Sequence, residues 1–480
     1  MYHKFAHRLS LRGSVLARPS TPSDGVSSVY YSVERATVTS LRIVYRALPL
    51  TSSSRKRLAD WTFAHLPSLK SAVHRISFAE ISGRERGLPA AEARAPEDGK
   101  PQALIIEHRI PTPDRTSGST RLQAMIDLIS SRGWGVTVAS NAWPEDYHWI
   151  LPDVATELSR YTQRLEARGI RTVFGSSAIG DLLRSSGTRY DLVIASYPEI
   201  MHQYAPLVRA SAPLALLVYD TVDLHGVRIR REAICKGDNA DLHATADRYD
   251  AMESANIESG DVCIAITDTE SQQIAHRSPA ARVEVVPNIH EVRRETPGFD
   301  GRSGFLFIGH YLHAPNEDAM RYFVSEVLPR IERRLPDAAL LMAGSSMTPT
   351  VRGLERRNVK AIGWVEDPVP WFDRCRLLVA PLRFGAGMKG KIGQAMCLGL
   401  PVVTTTIGVE GMRIEPGTHA MVADDPDAFA DAVVRVHEDR ELWQSLSSAA
   451  LDHVDRHFSP QSASGAIDRI LALAREARSA

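Results

Sequence analysis

The stretch PLRFGAGMKGKIGQAMCLGLPVVTTTIGVEGM (381–412) decides how this chain folds. It begins at the end of an apolar run, RLLVAPL (376–382), of the length of a buried strand, and then breaks at Gly385, Gly387 and Gly390. A helical segment follows, and then PVVTT (401–405), a second strand of the same texture. Strand, glycine turn, helix and strand is the repeat of a parallel sheet with crossover helices. At such a turn glycines admit a ligand close to the backbone and the helix N-terminus directs its N–H groups outward. Lys389 and Lys391 add positive charge there. The combination suits a diphosphate; a tight turn with solvated lysines is the plain alternative. A Walker loop is excluded, because Ile392 stands where that motif needs Ser or Thr.

Outward from this stretch the same alternation recurs. Upstream in the same half lie GFLFIGH (304–310), ALLMAG (339–344) and VKAIGW (359–364), and downstream HAMVA (419–423), with helical runs between them. A separate cycle precedes it: ALIIEHRI (103–110), VTVAS (136–140), DLVIASY (191–197), LALLVYD (214–220), VCIAIT (262–267) and VEVVP (283–287). Two doubly wound halves are predicted, joined between Pro287 and Gly304. The boundaries expected are 1–99 for an extension and linker, 100–295 for the first half and 296–480 for the second. At 480 residues the chain is long enough for two such cores plus an appendage.

Charge sets the extension apart. The whole chain balances 57 basic against 57 acidic side chains, yet residues 1–97 hold 15 against 7. Residues 1–40 read as loose, 40–78 as helical in character, and AEISGRERGLPAAEARAPEDGK (79–100) as a linker. A basic leader is either a solvated arm or a peripheral contact with an anionic membrane surface. No nucleic-acid partner is expected. No window approaches the length of a membrane span, and no apolar run follows Lys4 and Arg8 as in a secretory signal. Cys235, Cys263, Cys375 and Cys397 are scattered singly, without the spacing of a disulfide framework or zinc site. The expected location is cytoplasmic, with the inner face of the membrane as a site of peripheral contact.

In the first half, PTPDRTSGSTR (111–121) follows the opening strand and places Gly118 among Asp114, Ser117 and Arg121. VYDTVDLHGVRIRREA (218–233) follows another strand and offers Asp220, Asp223, His225, Arg228 and Arg231. Ligands of doubly wound sheets bind outside the carboxyl ends of the strands, which is where both runs fall. Turn chemistry and a structural histidine are the alternatives to a binding role. DTESQQIA (268–275) reads as an N-capped helix start, with Glu270 a second candidate for the cleft. DDPD (424–427) reads as another N-cap rather than a metal site, and no metal is assigned. A dinucleotide-dependent dehydrogenase is disfavoured, since no G-x-G-x-x-G follows ALIIEHRI.

The quoted stretch resembles the C-terminal signature of glycosyltransferase family 4, group 1 glycosyltransferases of GT-B fold. The matching residues are Gly385, Gly387, Lys389, Lys391, Ala395, Gly399, Pro401, Val402, Val403, Gly408, Glu410 and Gly411. GFLFIGHYLHAPNEDA resembles that family's entry into its second half, through His313, Pro315 and Asn316, and GWVEDPVPWF (363–372) its segment near the nucleobase. The resemblance implies an α/β chain of two Rossmann-like domains facing across a cleft, behind a basic N-terminal extension. It implies a retaining, metal-independent transferase with a nucleotide-sugar as donor substrate and no other cofactor. Gly118, Gly387, Lys389, Lys391, Gln394 and Glu410 would bind the donor, and His225 and Asp223 would serve catalysis. Gln394 stands where the family usually has the Glu that grips the donor ribose, and Ala386 where many members carry another Glu. A glycan or lipid-linked acceptor is expected, since IVYRALPLTSSSRKRLADWTF (43–63) resembles segments accompanying surface-polysaccharide enzymes. The alternatives are a degenerate scaffold or glycan-binding protein, and a nucleotide-sugar epimerase on the same fold.

Overall fold

The computed structural model describes residues 99–479 except 150 and 152. The expectations for the basic arm, its helical stretch and its membrane contact lie outside the described residues. The described residues form one compact unit.

The described residues build two parallel sheets. The first comprises β1 (Gln102–Glu107), β2 (Gly135–Ser140), β3 (Arg171–Phe174), β4 (Leu192–Ser196), β5 (Leu216–Asp220), β6 (Val262–Ala265) and β7 (Val283–Val285). Their order is β3-β2-β1-β4-β5-β6-β7. The second comprises β8 (Phe305–Ile308), β9 (Leu340–Ala343), β10 (Val359–Gly363), β11 (Leu377–Ala380), β12 (Val402–Thr404) and β13 (Met421–Val422), ordered β10-β9-β8-β11-β12-β13. Each sheet reverses its winding beside its first strand, between β1 and β4 and between β8 and β11. These reversals open crevices at the carboxyl ends, where a ligand can enter.

The apolar strands read as continuous runs because both faces of each sheet are covered. Along β1, Ala103 and Ile105 enter one core while Leu104 and Ile106 enter the other. The second sheet divides likewise: Phe305 and Phe307 face one way, and Leu306 the other. Strand β3 (RTVF) escaped the sequence reading because it is a short, half-buried edge strand carrying Arg171 and Thr172. The helical run NEDAMRYFVSEVLPRIERRL between β8 and β9 is interrupted by a π-turn at Phe323–Val327, just before Pro329, whose ring removes a backbone N–H.

The last helix, Pro460–Ser479, does not stay with the second half. It returns to the first, where Ala463, Ile467, Ile470, Leu471 and Ala474 join the core under β1 and β5. Arg478 pairs with Asp191 and Arg469 with Glu284, fixing the register of that return. The boundary drawn at 296–480 is amended accordingly: residues 460–479 complete the core of the first half. An Ile467→Ala substitution should lower the free energy of unfolding by about 2–5 kcal/mol through the cavity it leaves. Urea denaturation followed by circular dichroism measures this; a loss below about 1 kcal/mol would place the helix outside the core.

Candidate active site

The carboxyl ends of both sheets face one cleft of about 1080 Å³, lined from the first half by Glu107, Tyr197 and Asp223 and from the second by Gly309, Gly344 and Leu382. Two helices begin there. Ser117–Ser130 starts with Thr116 as its cap, the hydroxyl accepting from the Ser119 N–H. Gly390–Cys397 starts directly after Lys389. The two N-termini meet: a Cβ placed on Gly390 would stand 2.3 Å from Ser117 Cβ, so this position admits only glycine without displacing the first half. Both N-termini contribute partial positive charge and free N–H groups to the same volume.

Gly387 has a left-handed backbone, φ +64°, and a Cβ there would lie 3.1 Å from Asp223 Cβ. The glycine turn is thereby folded over the Asp223 loop. Lys389 Nζ donates to Gly387 O at 2.6 Å and lies 3.7 Å from Glu410 Oε2. Lys391 Nζ donates to Asn316 Oδ1 and sits 4.8 Å from the centre of the Phe307 ring. Burial depresses both ammonium groups: Lys389 falls to about 8 and Lys391 to about 7, the latter pushed further by the charge of Lys389. Two desolvated cations side by side with no carboxylate at Lys391 form an arrangement that an anion would stabilise.

On the opposite wall, His225 Nδ1 lies 2.7 Å from Asp223 Oδ1, and Arg228 Nε donates to Asp223 Oδ2 at 2.8 Å. Burial alone would raise the Asp223 carboxyl, but His225 and Arg228 hold it well below the usual carboxylate range. Burial opposes a charged His225, yet Asp223 prevails and raises the imidazole above its ordinary value. Tyr197 and Tyr249 flank the ring, with centroids 5.9 and 5.4 Å away. Asp223 therefore fixes one nitrogen of His225 and stabilises its protonated form.

Gly118, Gly387, Lys389, Lys391, Gln394, Asp223 and His225 all line this cleft. Glu410 is absent from that lining. Its carboxylate is held from across the molecule by Arg231, at 2.5 and 2.7 Å, and Arg231 also donates to Gly385 O at 2.8 Å. Here Glu410 braces the back of the glycine turn instead of reaching the cleft. Two further candidates also serve each other: Arg121 and Asp220 form a buried two-pronged ion pair at 2.9 Å, with Arg121 donating to Val286 O as well. Glu270 accepts from the N–H groups of Ile266 and Leu224 beneath the cleft, and burial pushes it up to about 8. No group of His, Cys, Asp and Glu among the described residues has metal-binding geometry.

Several lining residues were not singled out by the sequence. Glu107 ends β1 and Arg109 lies just beyond it, Tyr197 ends the β4 segment with a left-handed φ of 76°, and Arg115 lies 3.5 Å over the Trp364 ring from the other half. Their position at strand ends was the available signal.

Residues 302–439 match the family described as glycosyl transferases group 1. The architecture agrees with solved GT-B structures. Sucrose-phosphate synthase from Thermosynechococcus elongatus superposes with a TM-score of 0.60 at 15% identity, over 79% of this chain and 100% of that one. Anabaena HepE in complex with UDP and glucose gives 0.57 at 14% identity, over 78% and 99%. A variant of S. aureus TarM in complex with fondaparinux, α-GlcNAc-glycerol and UDP gives 0.59 at 9% identity, over 77% and 99%. The fold is GT-B. A Klebsiella pneumoniae relative named as an uncharacterized 44.6 kDa protein in the cps region is 23% identical over 162 residues. That match spans 32% of this chain and 42% of the relative, less than half its length. No helix among the described residues is long and apolar enough to cross a membrane.

In this GT-B cleft the buried lysines couple stability to pH. Between about 7, the folded value of Lys391, and its ordinary 10.5, the unfolded chain holds a proton that the folded chain has released. Stability should therefore rise with pH through that window. Urea titrations at intervals from pH 7 to 10 should show a shallower rise in Lys391→Met than in the unsubstituted chain; equal slopes would contradict the burial of a charged lysine.

Proposed function

We propose that this chain is a glycosyltransferase that moves a sugar from a nucleotide-sugar donor to a glycan or lipid-linked acceptor in surface-polysaccharide assembly. The observation that carries the reading is the convergence of two helix N-termini and two desolvated lysines on one cleft. A nucleoside diphosphate leaving group is the anion such a site would stabilise most, because its charge grows as the sugar departs. The match to group 1 glycosyl transferases, the UDP complexes among structures of the same fold and the relative in a cps region support this class of donor and setting.

In this reading the donor diphosphate lies between Gly118 and Gly387, with Lys389 and Lys391 neutralising it and Gln394 hydrogen-bonding the ribose. The bond from the anomeric carbon to the leaving phosphate breaks, and the bond to the acceptor hydroxyl oxygen forms on the same face. The hydroxyl proton passes to the leaving phosphate, so configuration is retained and no metal is needed. His225, held by Asp223, contacts the sugar near the anomeric centre. Glu410 acts through Arg231 and the glycine turn, as a positioning residue. Closure of the halves excludes water, which would otherwise take the sugar. The reaction would run in the cytoplasm, with the basic extension at the inner face of the membrane.

Calorimetric titration with a panel of nucleotide-sugars, UDP and GDP tests this proposal. One donor should bind, and Lys391→Ala should weaken it about a hundredfold, the loss expected for a charged contact in a buried site. Binding returns Lys391 toward its ordinary protonation, so at pH 8 the complex should take up protons from buffer, and affinity should fall as pH rises above 7. If no nucleotide or nucleotide-sugar bound, the transferase reading would fall and the degenerate scaffold would replace it. Release of an epimerised nucleotide-sugar without transfer would overturn it in favour of an epimerase.

A further inference from the structure

Strand β4 ends at Ser196 and the helix Pro198–Ser211 begins two residues later, so Tyr197 makes the whole turn between them. Its backbone N–H donates to Asp220 O at 2.9 Å, and its carbonyl accepts the Met201 N–H as the first bond of the helix. Serving strand and helix at once holds φ at 76° and ψ at 150°. That region is close to glycine-only, and a large aromatic residue suits it poorly. Tyr197 also occupies the position before the helix, where Ser, Thr, Asp or Asn would cap a free N–H, yet it makes no capping bond. Glycine would relieve this backbone and serine would satisfy the helix; tyrosine does neither. Part of its ring packs against the core that contains Leu104, Ile106 and Val193, as a phenylalanine would. The hydroxyl is what that packing does not explain.

Tyr197 lines the cleft, and its hydroxyl makes no hydrogen bond among the described residues. A Cβ built on Gly118 would stand 3.6 Å from the hydroxyl oxygen, so the phenol tip rests against the first turn of the helix Ser117–Ser130. Gly390 rests in turn against Ser117, so phenol, Gly118 and the helix that follows Lys389 border one small volume. The rings of His108 and His225 pack beside the phenol, with centroids 4.8 and 5.9 Å away. Burial pushes the phenol well above its ordinary value, and the charges of Glu107, Asp223 and Asp220 push it further. It therefore keeps its proton and meets an anion as an O–H donor. None of those carboxylates accepts it: Asp220 is closed on Arg121, Asp223 on His225 and Arg228, and Glu107 takes the Arg109 N–H.

We propose that the Tyr197 hydroxyl donates a hydrogen bond to the diphosphate leaving group of the nucleotide-sugar, beside the backbone at Gly118. This rests on the transferase reading given above. As the bond from the anomeric carbon to the phosphate breaks, charge grows on the phosphate oxygens. A donor already in place favours the separated diphosphate over the intact nucleotide-sugar. The phenol keeps its proton throughout, and no covalent bond to it forms or breaks. Lys389 and Lys391 neutralise the leaving group from the second half, and Tyr197 meets it from the first. The strained turn supplies the rigidity this needs, because a strand that enters a helix without a loop presents its last side chain at the carboxyl end of the sheet with little freedom.

Tyr197→Phe removes the hydroxyl and keeps the ring, so a tyrosine that only packs would lose nothing. Calorimetric titration should show UDP or GDP, whichever binds, weakened about tenfold in this variant, the worth of a hydrogen bond to a charged group. The glucose conjugate of the same nucleotide should be weakened less, by about threefold or under, because its diphosphate carries less charge. The midpoint of urea unfolding should not move, since the hydroxyl has no partner in the protein. Unchanged affinity for the nucleoside diphosphate would overturn the proposal. A loss confined to the nucleotide-sugar would put the hydroxyl on the sugar and overturn it equally, and a lowered urea midpoint would do so by giving the hydroxyl a structural role. Should no nucleotide or nucleotide-sugar bind the unsubstituted chain, the transferase reading fails by itself. Inorganic pyrophosphate then becomes the probe: binding that weakens in Tyr197→Phe keeps the hydroxyl as an anion donor, and equal or absent binding overturns it.

Discussion

The contact between Ser117 and Gly390 sets the distance between the two halves. Because residue 390 has no side chain, the N-terminus of its helix can rest against the N-terminus of the helix that begins at Ser117. Bringing two positive helix ends together is unfavourable in the absence of an anion. It is tolerated because other contacts span the same gap: Arg231 holds Glu410 and Gly385 O, Asn288 donates to Met388 O, and Arg115 covers Trp364. The structure is therefore braced around a volume that is itself electropositive. The same bracing explains why Lys389 and Lys391 are buried deeply enough to lose part of their affinity for protons.

Carboxylates in this region are spent on structure rather than left in the cleft. Asp220 closes on Arg121, Glu410 on Arg231, and Glu270 on the backbone of its own helix entry and of the Asp223 loop. Asp223 does line the cleft, with His225 and Arg228 already attached. The result is a histidine of fixed orientation in the same cleft as two lysines. A volume of this character is electropositive at the helix ends.

Much of the fold was legible because parallel strands buried on both faces read as uninterrupted apolar runs; ALIIE, LVIAS and FLFI need no partner to be recognised. RTVF was missed for the opposite reason, since an edge strand half exposed to solvent keeps polar residues. In the site, the glycines and lysines of 385–391 were legible because backbone approach and charge at a helix start are local properties. The capped helix starts at 268–275 and 424–427 were legible on the same ground; Thr267 and Asp425 accept the cap N–H bonds. Glu410 was placed among the donor-binding residues by resemblance, but its partner Arg231 lies 179 positions away in the chain. Nothing local announces such a pairing.

The sequence by itself determined the two doubly wound sheets and the glycine turn with its lysines at a helix start, because periodicity, glycine freedom and helix polarity act over a few residues. The tertiary structure alone decided which charges remain available for a ligand. It sent the helix Pro460–Ser479 back to the first core, and closed Arg121 on Asp220 and Arg231 on Glu410. The physical reason is that a charge acquires its role from what is buried beside it, and those neighbours come from distant parts of the chain.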